Sequence, residues 1–317
     1  MEDRGWRLIF FWGCLGVLFW IFLLRRAIPL SGVLLGPWVP LPILLVGWRL
    51  GVRSAVILVA VSLCLVLSLN PPGESLWGGL QDSWELLAAG LILSLLHHRG
   101  WAAERAIIFT VLALSLTNLL ILVGQGYYLG LTPQALLAQK AQGIAEGLKK
   151  LVADGGAGAP VHIFPGLPAL DLAALLRKIL PALLVINTTL VVWINVVLAR
   201  QLASLLGMRE ADDPPLYLWY TPEWLIFALL GAGFLALVPV PQVKVLSLNL
   251  LLILALLYFS QGVAVVSAWL HRLQVPRFLR VPGYLLLFWN PMFILTTILG
   301  LLDLWLDFRR LKRPRSA

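Results

Sequence analysis

Nine predominantly apolar segments rich in Leu, Val, Ile, Ala and Phe recur along this chain, over about residues 8–24, 28–48, 54–69, 84–96, 106–129, 178–199, 222–238, 244–270 and 283–305. A hydrocarbon layer roughly 30 Å thick is crossed by about 20 apolar residues in a helix, because only a helix or a closed barrel satisfies its own backbone there. The runs are continuous, whereas barrel strands show alternating ten-residue segments, so a β-barrel is excluded. Only 12% of the 317 residues are charged, against roughly 25% in soluble domains. The expected fold is all-α: a polytopic transmembrane helical bundle of eight to nine membrane segments, with one amphipathic interfacial helix.

The first run lacks a small-residue cleavage site and ends on Arg25 and Arg26, so it is read as retained rather than as a signal peptide. The second carries Pro29, Pro37, Pro40 and Pro42 with Gly32 and Gly36, which predicts a kinked or broken element. Opened backbone at membrane depth survives only where protein or a wet cavity covers it. The net charge of +9 comes from basic residues at helix ends, which suits orientation and anionic lipid and does not call for nucleic acid. Lys and Arg favour the inner side only when the tail (Arg309, Arg310, Lys312, Arg313, Arg315) lies there too. Both termini are therefore expected in the cytoplasm of a bacterial plasma membrane, with eight crossings and a last segment hinged near Asn290 and Pro291. A ninth plain span is the alternative. Cys14 and Cys64 sit in apolar runs at no metal-like spacing and are read as small buried hydrophobes.

Three regions follow: N-terminal membrane helices over 1–131, an extracytoplasmic loop with an amphipathic helix over 132–177, and C-terminal membrane helices with a basic tail over 178–317. In the loop, Thr132-Pro133 makes a helix start, a hydroxyl cap followed by proline at the first helical position. Leu137, Ala141, Ile144, Leu148 and Leu151 then recur at helical spacing. Glycines and prolines from 155 to 168 predict an irregular loop behind it. Trp219, Tyr220, Trp224 and Trp305 mark membrane–water interfaces.

Polar residues inside apolar runs are costly and informative. Asn118 and Gln125 share a helical face in the fifth run, as do Thr188 and Asn195 in the sixth, with Asn187 alongside. Asn249 and Ser260 share one in the eighth, with Gln261 nearby. In the last, Thr296, Asp303, Asp307 and Arg310 form one stripe, and Asn290 precedes it. Two explanations stand together. These groups bond across helices and hold the bundle together, at an average of about 0.6 kcal/mol each, or they line a polar cavity for a small solute. Asp303 and Asp307 have a further interfacial use, pairing with Arg309, Arg310 or Arg313. Gln261, near mid-membrane, is expected to bond a polar group on another helix, on the Asn187–Asn195 face or the Asn290–Thr297 face. No HExxH, GxSxG, Walker A loop or Cys/His cluster is present, so no enzyme activity, metal or cofactor is expected.

The run Tyr258-Phe-Ser-Gln261-Gly262 after Asn249, and the ending Leu299-Gly300-Leu-Leu-Asp303 to Asp307-Phe-Arg309, resemble the YybS-like family of uncharacterised bacterial multi-pass membrane proteins. The first 70 or so residues, with Gly36-Pro37, Pro42 and Gly47-Trp-Arg-Leu-Gly51-Val-Arg-Ser, are similar to substrate-binding subunits of energy-coupling-factor vitamin transporters. That likeness implies a small solute bound in a helical bundle and an ATPase borrowed from partners. The two functions carried forward are a solute-binding or transporter-like protein, and a membrane scaffold or assembly factor presenting its loop and basic tail to protein partners.

Overall fold

The structure is a computed structural model describing residues 2–28, 31–69, 80, 83–154, 172–208, 218–219, 221–289 and 291–309. Among these every regular element is helical: α1 (Glu2–Ala27), α2 (Ser31–Leu35), a 3₁₀ turn (Gly36–Trp38), α3 (Pro40–Leu50), α4 (Val52–Ser68), α5 (Trp84–His98), α6 (Ala103–Leu129), α7 (Pro133–Asp154), α8 (Leu172–Leu205), α9 (Leu225–Leu237), α10 (Pro241–Arg272), α11 (Arg277–Leu287) and α12 (Met292–Leu306).

The all-α expectation holds, and the count of eight to nine membrane segments does not. Among the described residues four helices are long and apolar enough to cross a membrane: α1 over Gly5–Ala27, α6, α8 and α10. A fifth span exists if α11 and α12, bent by 93° at their break, are taken as one. The shortfall is physical. The second apolar run is split by its prolines into a 5-residue helix, a 3₁₀ turn and an 11-residue helix. Helices α4, α5 and α9 have 17, 15 and 13 residues, and at about 1.5 Å per residue none reaches across a 30 Å layer upright. The expected break near Asn290-Pro291 coincides with the bend between α11 and α12, although Asn290 itself lies outside the described residues.

The chain forms two compact units, one of residues 1–121 with 187–213 and the other of 122–186 with 214–317. In the first, Leu18, Ile21 and Phe22 of α1 pack with Val39, Ile43 and Val46, and with Ala55 and Leu58 of α4. A neighbouring cluster joins Leu44 of α3, Leu93 and Leu96 of α5, Leu114 of α6 and Val192, Val196 and Ala199 of α8. Helices α3 and α5 cross very closely. A Cβ on Gly90 would stand 2.8 Å from the Pro40 carbonyl oxygen, so only hydrogen fits there, in the manner of small-residue contacts between membrane helices. Ser94 seals the crossing by donating to Gly90 O at 2.7 Å and Ile43 O at 3.3 Å. Outward, α1 presents Trp6, Ile9, Trp12 and Trp20 in exposed positions, a surface that suits lipid.

In the second unit α10 and α12 make the closest pairing. A Cβ on Gly262 would lie 2.8 Å from the Thr296 carbonyl carbon, and one on Gly300 2.6 Å from the Gly262 nitrogen. Backbone therefore meets backbone at both glycines. The α9–α10 hairpin is tied by Ser247 Oγ donating to Ala232 O at 2.7 Å. The α7 cap forms as expected, with Ala135 N donating to Thr132 Oγ1 at 3.2 Å. Leu136, Ala141 and Ala145 are buried, the two alanines against Leu176 and Leu180 of α8, while Ile144 and Leu148 stay 43% and 41% exposed. The small alanines decide this, because they let α7 approach the first turns of α8. The glycine- and proline-rich loop expected behind α7 and the tail beyond Arg309 lie outside the described residues.

Candidate functional site

Two proline-opened stretches of backbone explain two of the candidate amides. Pro40 has no N–H, so the Pro37 carbonyl in the 3₁₀ turn lacks the donor that a continuing turn would supply. Asn195 of α8 supplies it, its Nδ2 donating to Pro37 O at 2.7 Å and to Val191 O at 2.7 Å. In α8 itself Pro181 leaves Arg177 without its helical donor. One residue on, Asn249 of α10 engages both members of the next i, i+4 pair: Ala182 N donates to Asn249 Oδ1 at 2.8 Å, and Asn249 Nδ2 donates to Lys178 O at 2.7 Å. Asn195 and Asn249 are thus used within the protein, each as a patch on backbone that a proline has opened.

The C-terminal candidates form a closed network. Gln261 Nε2 donates to Asp303 Oδ2 at 3.1 Å, and Gln261 Oε1 accepts from Thr221 N at 3.1 Å. Asp303 Oδ2 also accepts from Arg309 Nε at 3.0 Å and Arg309 Nη2 at 2.7 Å, while Asp303 Oδ1 accepts from Phe308 N at 3.0 Å. Arg309 Nη1 donates to Trp219 O at 2.5 Å, and Arg272 Nη2 to Arg309 O at 2.6 Å. Asp303 and Arg309 are 5% and 4% exposed. The turn that returns Arg309 to Asp303 runs through Asp307 in a left-handed conformation, φ 43°, which a short polar side chain tolerates. The expected pairing of Asp303 with a following arginine is met at Arg309. Gln261 does reach the last helix, at Asp303 rather than on the 290–297 face. With both oxygens of Asp303 engaged, this cluster ties α10, α12 and the turn after α12 together.

Asn118 and Gln125 are half-buried along α6 and take no part in these networks. Asn187 does something different. With Glu85 of α5 and Thr188 it forms the polar side of a cavity of about 230 Å³ in the first unit. Leu86, Ala89, Leu114, Val191 and Val192 make the apolar wall. Thr188 Oγ1 donates a short hydrogen bond to Glu85 Oε1. Among the described residues no cation pairs with Glu85. Leu86 lies against Gly36 of the broken element, Cδ1 being 3.8 Å from where a Cβ would stand, so the break adjoins the cavity wall. At about 30 Å³ per water molecule the space equals roughly eight waters, which suits a small solute.

Glu85 was not among the residues expected to bind. Its partner Thr188 is 103 positions away, and periodicity along one helix does not reveal such a pair. The available signal was simpler: one carboxylate at the head of an otherwise apolar run. His97 stacks on Trp48 with ring centroids 4.3 Å apart.

A family model described as "Predicted membrane protein (DUF2232)" matches residues 16–304. The chain belongs to the DUF2232 family. No curated protein and no solved structure matches it. Both the C-terminal network at Gln261 and Asp303 and the Glu85 cavity lie within the matched part of this DUF2232 chain.

Proposed function

We propose that this DUF2232 protein binds a small solute in the cavity at Glu85, Asn187 and Thr188, within a bacterial plasma membrane, and that the C-terminal network has a structural role. The observation that carries the proposal is the carboxylate itself. A charged group in apolar surroundings is costly, and such residues face wet cavities or ion and solute paths. Thr188 stands near the middle of the 34-residue α8, a helix long enough to cross a membrane, and solute sites of secondary transporters lie near mid-membrane beside discontinuous helices. The broken α2–α3 element against Leu86 fits that pattern. Transport, if it accompanies binding, draws on a partner or an ion gradient, since the chain has no Walker A loop. This agrees with the likeness of its N-terminal stretch to substrate-binding subunits that borrow an ATPase.

The test is an Asn187→Trp variant. Asn187 is exposed at the cavity, so a large side chain plugs the space without entering the core. Native mass spectrometry of gently purified protein is expected to show a small molecule retained by the wild type and absent from the variant, at unchanged thermal stability. No retained or added small solute, charged or neutral, that distinguishes the two would sink the proposal in favour of the scaffold function.

A further inference from the structure

The chain leaves α10 at Arg272 and comes back to it. Along α11, Arg280 Nη1 meets His271 Nε2 at 3.0 Å, Tyr284 Oη donates to Ser267 Oγ at 2.8 Å, and the Phe288 ring stands 5.1 Å from that of Phe259. Rising residue numbers on α11 thus meet falling numbers on α10, so α11 descends beside it. Phe259 precedes Arg272 by about 20 Å of helix at 1.5 Å per residue. After the 93° bend, Phe293 stacks on the same Phe259 at 4.5 Å and Phe308 reaches Trp269 at 5.9 Å. The Arg309 carbonyl then accepts from Arg272 Nη2 at 2.6 Å. The α11–α12 pair is a hairpin whose two ends lie together at the Arg272 end of α10.

The mouth of this hairpin is basic. Arg280 is held by neutral acceptors: Nε donates to Val275 O at 2.7 Å and Nη1 to His271 Nε2. His271 Nδ1 faces the Ser267 carbonyl at 2.9 Å and so carries the ring proton, which leaves Nε2 to accept. Arg272 is held by the Arg309 carbonyl. Among the described residues neither guanidinium has a carboxylate partner, whereas Arg309 is closed on Asp303 at 2.7 Å. A guanidinium has five N–H donors, so both keep donors for a further acceptor, and their planar fork matches phosphate. We propose that Arg272 and Arg280 hold the phosphate of an anionic phospholipid, in the leaflet at that end of α10. Exposed Leu273 and Leu279 flank the two arginines, and exposed Leu286 follows seven residues deeper on the Leu279 face of α11. Cations beside an apolar stripe fit a headgroup and its acyl chain, and a free phosphate would leave that stripe unused. A zwitterionic headgroup brings a cation of its own to the two arginines, so an anionic lipid is favoured. Past Arg309 the sequence continues with Arg310, Lys312, Arg313 and Arg315, adding positive charge from the same end.

The experiment titrates phosphatidylglycerol, or phosphatidylcholine with the same acyl chains, into delipidated full-length protein and reads the bound lipid by native mass spectrometry. The expected result is tighter binding of phosphatidylglycerol. Removing both charges, Arg272→Gln with Arg280→Gln, lowers that affinity about thirtyfold, at about fivefold for each arginine near the membrane surface, and leaves phosphatidylcholine within about twofold. Arg53→Gln, at an exposed cation of α4, leaves both lipids unchanged. Equal affinity for the two lipids in the wild type overturns the proposal, as does an undiminished preference in the double variant. An equal loss in Arg53→Gln overturns it in favour of general charge attraction. Inorganic phosphate retained at these arginines in place of lipid overturns it in favour of a free anion. Should the double variant fold poorly, Arg272→Gln alone carries the test: a loss of about fivefold upholds the proposal, and unaltered affinity for phosphatidylglycerol overturns it.

Discussion

Removing the Asp303 carboxylate tests the C-terminal network most severely. Asp303 accepts four hydrogen bonds, from Gln261 Nε2, Arg309 Nε, Arg309 Nη2 and Phe308 N. In Asp303→Ala the Arg309 guanidinium, 4% exposed, loses the carboxylate that it pairs with at 2.7 Å. Breaking a buried pair by deleting one partner costs about 3–5 kcal/mol, because the remaining charge stays buried. Arg309→Met leaves the complementary fault, an anion with two neutral donors, and falls in the same range. The double variant Asp303→Leu with Arg309→Met removes both charges. It leaves the Phe308 N–H, the Gln261 amide and the Trp219 carbonyl short of partners, at about 1–3 kcal/mol for each such group that water does not reach. Replacing a buried ion pair by apolar residues is otherwise close to neutral. At the middle of these ranges the double variant is therefore expected to lose less than the two single losses added together, by about 2 kcal/mol. Unfolding in bicelles, driven by SDS and followed by tryptophan fluorescence, provides the four stabilities of the cycle. Additivity within about 0.5 kcal/mol, the behaviour of independent sites, would refute the ion pair as a single unit.

Gln261→Leu is expected to cost about 1–3 kcal/mol through the stranded Thr221 N–H, with Asp303 still held by Arg309; the same unfolding assay checks it. Asn249→Ala is expected to cost about 1–2 kcal/mol, and less in a Pro181→Ala background, where a continuous α8 closes the Lys178–Ala182 pair itself. A double-mutant cycle on the two positions measures that coupling, and its absence contradicts the role given to Asn249. Gly300→Ala forces α10 and α12 apart at the Tyr258 and Gly262 backbone, with a loss of about 1–3 kcal/mol or more, against a change under about 1 kcal/mol for Gly233→Ala, where the added methyl meets nothing within 4 Å.

The helical membrane character was legible because continuous apolar runs leave few other solutions, and the Thr132 cap and the break among Pro37, Pro40 and Pro42 were legible because cap and proline chemistry are local. The number of spans was not. An apolar run reads alike whether it is one helix or a short helix and a turn, and α4, α5 and α9 fall short of a bilayer by a few residues each. The partner of α7 on α8, at Leu176 and Leu180, takes the small Ala141 and Ala145, a pairing that spacing along α7 alone does not reveal. Periodicity placed Asn195, Asn249 and Gln261 on plausible inward faces, but it carries nothing about the partner. For Asn195 and Asn249 that partner is backbone near a proline, and Pro37 and Pro181 were the available clues. Glu85 and Thr188 are joined only by the tertiary fold.

The central claim, that the solute site lies at Glu85 and not at Gln261, is tested most directly by comparing ligand retention in two variants. Native mass spectrometry of gently purified Glu85→Gln and Gln261→Leu proteins is expected to show the co-purified small molecule lost from the first and kept by the second, although the second is the less stable. Retention by Glu85→Gln with loss from a still-folded Gln261→Leu would contradict the account and move the site to the C-terminal network.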